Sequence, residues 1–279
     1  MKTRLLKTPI YVTAVLLIVV PFIYLVILSF MTRGETWGFE LEFTLDNYKG
    51  LLDPLYIDVF VDSFKLAIIS TVAIAIIGYP FGYFMAKLRS KWKARLMILL
   101  MIPFWISGLL RLYGWIIMFR SNGVLDKMLM KLSIIDEPLK LLYTYPAVVV
   151  GMVYALLPFM IFAVYQSAEK MDWNLPLAAR DLGASRFKAF TSVTLPMTMP
   201  GLLSGVILSF IPSMGLFFIA DILGGNKVVL VGNIISDLMT TGRNMPMAAA
   251  MSVVLLILTS LSLWIYKRVT KTTDLEGLF

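Results

Sequence analysis

The side chains able to do chemistry here are few. The 279 residues include neither histidine nor cysteine. That removes imidazole acid-base catalysis, thiolate nucleophiles, disulfides, and zinc or haem ligation through those groups. No catalytic residue and no metal-ligand set is expected. What remains is the handling of cations. Asp221 is the one carboxylate close to apolar sequence on both sides, and its use there is a charge-assisted contact with a cation, with an interfacial cap or a pairing with Arg111 as the alternative. Trp105, Tyr113, Trp115, Tyr154 and Phe217 carry ring faces whose quadrupole can hold a desolvated ammonium, with packing or lipid contact as the alternative for each. Arg111, beside Tyr113 and Trp115 in apolar sequence, is expected to be paired or to hold a helix junction, because an unpartnered guanidinium inside a membrane is costly.

The elements that would position these groups are membrane helices. Hydrophobic residues make up 59% of the chain and charged residues 15%, against roughly 25% charged in a soluble domain. Mean hydropathy is +0.84. The formal net charge of +8 sits in short segments between apolar runs, so a membrane surface explains it and nucleic acid is not an expected partner. The first apolar run, residues 10–30, has 21 residues, or about 31 Å of helix, enough to cross a hydrocarbon core. It is too long for a signal-peptide core, and the residues after it make no small-residue cleavage site, so a retained helix is expected. Further runs at 64–86, 96–119, 146–165, 201–220 and 247–266 are each long enough for a membrane crossing. The fold class is therefore all-α integral membrane, with six transmembrane helices in a single domain over 1–279. With both termini inside, inner segments carry fifteen Lys and Arg residues against eight outside, the cluster from Lys87 to Arg95 being the clearest signal; the positive-inside rule places both termini in the cytoplasm.

Pro21, Pro80, Pro103, Pro158 and Pro212 fall inside apolar runs, where each removes a backbone donor and bends its helix, as suits a bundle that moves. Gly78 with Gly82, Gly108 with Gly114, and Gly201 with Gly205 repeat small residues at near-helical spacing, which lets helices approach closely. Lys65 lies at the outer edge of the second run, where its stem can snorkel. The first outer loop, from Glu35 to Asp62, is dense in carboxylates; it is read either as a collector of polycations or as a solvated face.

The longest inner loop, 166–200, reads as two short helices separated by Gly183. Pro176 suits a first helical turn, and Ala178 and Ala179 leave one face bare of bulk. Gly183 permits the positive φ that ends the helix, and Ser185 can cap the next one, whose Phe187, Phe190 and Val193 give it an apolar side. A short small-residue helix standing out of the membrane has the shape of a docking knob.

Ala178-Ala179-x-x-x-Gly183, then nine residues, then Val193-x-Leu195-Pro196 resembles the EAA loop of ABC importer permeases. It lies between the fourth and fifth of the six spans. Leu177 stands where that family usually has Glu, and Val193 where Ile is common. The wider chain is similar to PotB-type permeases of spermidine and putrescine import, on the stretches FTLDNY (43–48), LLDPLY (51–56), IPFW (102–105), RLYG (111–114), LLPFM (156–160), AARDLGAS (178–185), LPMTMPG (195–201) and GLFFIADILGG (215–225).

The resemblance implies a type I, MetI-like permease fold in the bacterial inner membrane and no enzymatic activity in this chain. Leu177, Ala178, Ala179, Asp181, Gly183 and Ala184 would form the coupling helix that seats in an ATPase. The implied partners are a homologous second permease, two copies of a cytoplasmic ATP-binding subunit, an outer polyamine-binding protein and membrane lipid. Asp221 and the five aromatics named above become candidates for the substrate path. ATP and Mg would belong to the ATPase subunits, since the chain lacks a G-x-x-x-x-G-K-[ST] phosphate loop. Rival readings are a permease for another small cation or an opine-like solute, an ion-coupled secondary transporter and an intramembrane enzyme. The last two would be expected to show, respectively, several intramembrane carboxylates or an inverted repeat, and a cluster of polar catalytic groups.

Overall fold

A computed structural model describes residue 13 and residues 15–35 and 38–270. The first expected span therefore lies partly outside the described residues, as do Lys2, Arg4, Lys7 and Lys271. Two compact units are present among the described residues: one takes in residues up to 61 together with 231–262, the other 62–230 together with the residues from 263 onward.

The first unit opens with the apolar helix α1 (Val15–Ser29), entered through a π-helical turn with Pro21 in the first turn of the regular part. A two-stranded antiparallel hairpin follows, β1 (Met31–Arg33) with β2 (Phe39–Phe43), then α2 (Asp46–Gly50). This region is the acidic outer loop of the sequence. Lys49 bonds Asp46 at 3.0 Å and, with Thr44, holds that carboxyl below its usual range. Asn47 ties the hairpin to α1 by donating to the carbonyls of Ser29 and Met31 at 3.0 and 2.9 Å. Helices α10 (Val231–Thr240) and α11 (Met245–Thr270) complete the unit, α11 running past residue 262 into the second. Met247, Ala250 and Met251, at helical spacing on α11, bury against Leu51 and Val231.

Among the described residues four helices are long and apolar enough to cross a membrane: α3 (Pro54–Lys87), α7 (Tyr145–Glu169), α9 (Arg186–Gly215) and Met245–Tyr266 of α11. α3 starts ten residues before the expected second span. The cause is local and was present in the sequence: the Asp53 carboxylate accepts from Leu55 N at 2.9 Å, and Pro54 occupies the first helical position, where no amide is needed.

The third expected span, 96–119, is not one helix. α4 (Ser90–Met101) passes into a 3-10 turn (Ile102–Trp105), Ile106 and Ser107 are extended, and α5 (Gly108–Phe119) restarts. With α6 (Val124–Lys131), the two arms meet at 94° and count as a fifth span only if taken as one broken crossing. Pro103 cannot donate to the carbonyl four residues earlier, so the helix tightens and stops.

The fifth expected span, 201–220, is also displaced. α9 begins at Arg186 and ends at Gly215, Leu216 leaves the helical region at φ −81° and ψ 55°, and a single turn (Phe217–Ile219) and a π-helical turn (Ala220–Gly224) follow. The second short helix of the inner loop is therefore the first part of α9, not a separate element. A π-helical turn at Phe190–Thr194 comes just before Pro196, which falls in the first turn of the straight part and so costs little.

α7 is the centre of the second unit. Leu156, Met160 and Val164 recur on one face and pack with Ile74 of α3. Both neighbours meet α7 through glycine. A β-carbon at Gly78 would lie 2.6 Å from Met160 Cγ, and one at Gly201 2.5 Å from the Ala163 carbonyl oxygen. The expected small-residue contacts thus occur for Gly78, Gly82, Gly201 and Gly205, whereas Gly114 faces open space. Thr198 donates to the Thr194 carbonyl at 2.8 Å, which leaves its oxygen to accept from the Tyr79 hydroxyl at 2.8 Å. Lys65 is paired with Asp62 at 3.0 Å and remains exposed.

Candidate functional site

The loop at 166–200 folds locally for reasons its residues state. Asp172 accepts from Asn174 N at 2.9 Å and starts α8 (Asn174–Asp181), with Pro176 in its first turn. Gly183 adopts φ +90°. Its amide bonds the Arg180 carbonyl at 2.9 Å while Ala184 N reaches back to Ala179 O at 3.0 Å, the paired bonds of a Schellman stop. Ser185 Oγ then accepts from Lys188 N at 3.2 Å and caps α9.

The result is a projecting apolar corner. Leu182 is 90% exposed and Phe187 77%; Ala178, Asp181 and Gly183 are exposed, and Ala179 and Ala184 are half-buried. Helical spacing puts Ala178 and Leu182 on one side of α8, with Ala179 and Asp181 flanking them. Leu177 lies on the other side with Trp173, Pro176 and Arg180, where these four line a cavity of about 910 Å³.

Anchors that the sequence reading did not single out hold this loop to the bundle. Trp173 packs on Tyr83 at 5.6 Å between ring centroids, and the Lys87 ammonium sits over Tyr83 at 4.3 Å and over Trp173 at 5.3 Å. Lys93 of α4 reaches Glu169 at the end of α7 with contacts of 2.8 and 2.7 Å. The signal available in the sequence was the mix of aromatics and lysines at the expected inner ends of the second and fourth spans.

The substrate-path candidates separate. Trp115 and Tyr154 meet edge to face at 5.4 Å. Arg111, one turn before Trp115 on α5, lies 5.7 Å from the Tyr154 ring and 5.2 Å from Phe104, so this ring set already holds a cation of the chain itself. The Arg111 Nε is buried without a hydrogen-bond partner. Phe104, in the 3-10 turn, closes this junction across the helix break. Trp105 is 79% exposed and Tyr113 57%; Tyr113 lies on the face of α5 opposite Arg111. Phe217 is half-buried, and Asp221 is exposed in the π-helical turn beyond α9 rather than at the end of a continuous span. Among the described residues no cluster of carboxylates could hold a metal ion.

Long apolar helices with a projecting loop between two of them are the geometry of a membrane-embedded chain. Residues 78–274 match the family described as "Binding-protein-dependent transport system inner membrane component", and the chain belongs to that family. It is thus a multi-pass inner membrane protein. It is similar to the spermidine/putrescine transport system permease protein PotB of Escherichia coli strain K12, with 42% identity over 257 residues, 92% of this chain and 94% of the relative. The PotB of Haemophilus influenzae is 40% identical over 254 residues, 91% of this chain and 89% of the relative. In fold, a chain of the bacterial alginate ABC transporter in complex with alginate pentasaccharide-bound periplasmic protein matches with a TM-score of 0.73 at 17% identity, covering 97% of this chain and 95% of that one. The type I ABC importer permease fold expected from the sequence is therefore present.

Proposed function

We propose that this chain is the membrane permease subunit of an ATP-driven importer of spermidine and putrescine. The observation that carries the substrate class is the 42% identity to PotB spread over 92% of the chain. The chain would span the membrane six times with both termini in the cytoplasm, supported by the excess of Lys and Arg in the inner segments. A homologous second permease would share the translocation path, an outer polyamine-binding protein would deliver the substrate, and two ATP-binding subunits would supply the motion.

Leu177, Ala178, Ala179, Asp181, Gly183 and Ala184 are the proposed contact with the ATPase. Support comes from the exposure of Ala178, Asp181, Leu182 and Gly183 around the Schellman stop: a rigid, low-bulk corner can enter a groove and transmit a push. Trp105, Tyr113, Phe217 and Asp221 remain the proposed lining of the path, with weak holding by ring faces so that cargo can leave; Trp115 and Tyr154, packed on each other beside Arg111, are proposed as part of its wall and not as cargo-holding faces.

The test is uptake of labelled spermidine and putrescine by the reconstituted complex. Transport should require ATP and the binding protein, and uptake persisting without the ATPase subunits would favour an ion-coupled carrier instead. Ala179→Asp or Gly183→Asp should abolish ATPase co-purification while leaving membrane insertion intact. Unchanged co-purification would refute the docking role.

A further inference from the structure

The cavity behind α8 shares Leu177 with the proposed ATPase contact, but its basic residues lie outside that contact. Four cations line it, Lys87, Lys93, Arg180 and Arg186, and no carboxylate does. Lys93 is neutralised by Glu169 at 2.7 Å. Lys87 is held on the Tyr83 and Trp173 rings. Arg180 and Arg186 form no ion pair among the described residues and are exposed. Three basic residues besides Lys93 therefore line one concavity that has no carboxylate among its lining residues.

The remaining wall is apolar, supplied by Phe84, Leu88, Leu177 and Phe190. At about 910 Å³ the space far exceeds one phosphate ion. A ligand that matches it has an anionic head for the guanidinium forks and a hydrocarbon body for the aromatic wall. Lys87 and Leu88 mark the end of the membrane-crossing helix α3, so the cavity opens where a bilayer surface would lie. Basic pockets at the cytoplasmic ends of membrane helices suit acidic lipid headgroups.

We propose that this cavity is a binding site for the phosphate headgroup of an anionic phospholipid, with Arg180 and Arg186 as its principal ligands and Lys87 as a third. The site would brace α8 against the end of α3. It rests on the proposed membrane orientation, and lipid and ATPase are therefore read separately on the same samples.

The whole transporter complex is placed in phosphatidylcholine nanodiscs with and without phosphatidylglycerol, then re-extracted in detergent, and the phospholipid that stays bound is identified by native mass spectrometry. Phosphatidylglycerol should be retained several-fold over phosphatidylcholine. Arg180→Gln with Arg186→Gln should reduce that retention at least tenfold while ATPase co-purification persists, whereas Lys188→Gln, a basic residue outside the cavity, should leave retention unchanged. Lys87→Gln alone provides a second variant, with a smaller loss expected. Equal retention by the double variant and the parent overturns the proposal. Displacement of the lipid by inorganic phosphate alone would also overturn it, since the cavity would then be a site for free anions.

Discussion

Gly82 of α3 lies against the backbone of Ile161 in α7: a β-carbon at position 82 would stand 2.7 Å from the Ile161 carbonyl oxygen and 3.0 Å from Val164 Cβ. A carbonyl inside a helix cannot swing aside as a flexible side chain can. Gly82→Val should therefore force α3 and α7 apart, at a cost of about 1–3 kcal/mol. Gly114→Ala has open space around it and should be neutral or stabilising by up to about 1 kcal/mol through helix propensity. Thermal unfolding of the two purified variants, side by side, checks the sign as well as the size.

Asp126 is almost fully buried, 2% exposed, and its carboxylate accepts from Asn122 N at 2.8 Å and Leu139 N at 3.1 Å. It thereby pins both ends of the segment from 122 to 139 to α6. Asp126→Ala leaves two amides without their acceptor and should destabilise this region by about 3–6 kcal/mol, taking roughly 1.5–3 kcal/mol for each charged hydrogen bond. Asp126→Asn keeps one acceptor oxygen and should lose about half as much. Hydrogen exchange at Asn122 and Leu139 reads the effect directly, and unchanged protection in the alanine variant would contradict it.

Lys93 and Glu169 join the start of α4 to the end of α7 across 76 residues of sequence. Their side chains are 18% and 42% exposed, so solvent screens the pair in part and a coupling of about 0.5–1 kcal/mol is expected. Lys93→Glu and Glu169→Lys should each lower stability, and the double exchange should restore most of it. A double-mutant cycle in which the two losses simply add would show that the contact contributes nothing.

Much of the architecture was legible in the chain because a bilayer is a one-dimensional filter: about 20 apolar residues in a row suffice to specify a crossing. The positions of the second, fourth and last long helices follow from that alone, and the loop chemistry at Gly183 and Ser185 is equally local, each bond closing within six residues. The break of the third run after Pro103 and the start of α9 behind the Ser185 cap are local in the same way. Tertiary structure decided what local pattern could not. It selected α7 as the helix that receives the glycines of both neighbours. It placed Arg111 on Tyr154 and Phe104, and it put Trp173 and Leu177 on the cavity side of α8 while Ala178 and Leu182 face away from it. The physical reason is that hydropathy records how much of a segment leaves water but not which partner it meets; a helix is apolar on every side whether it faces lipid or another helix. Only the packed contacts distinguish the two.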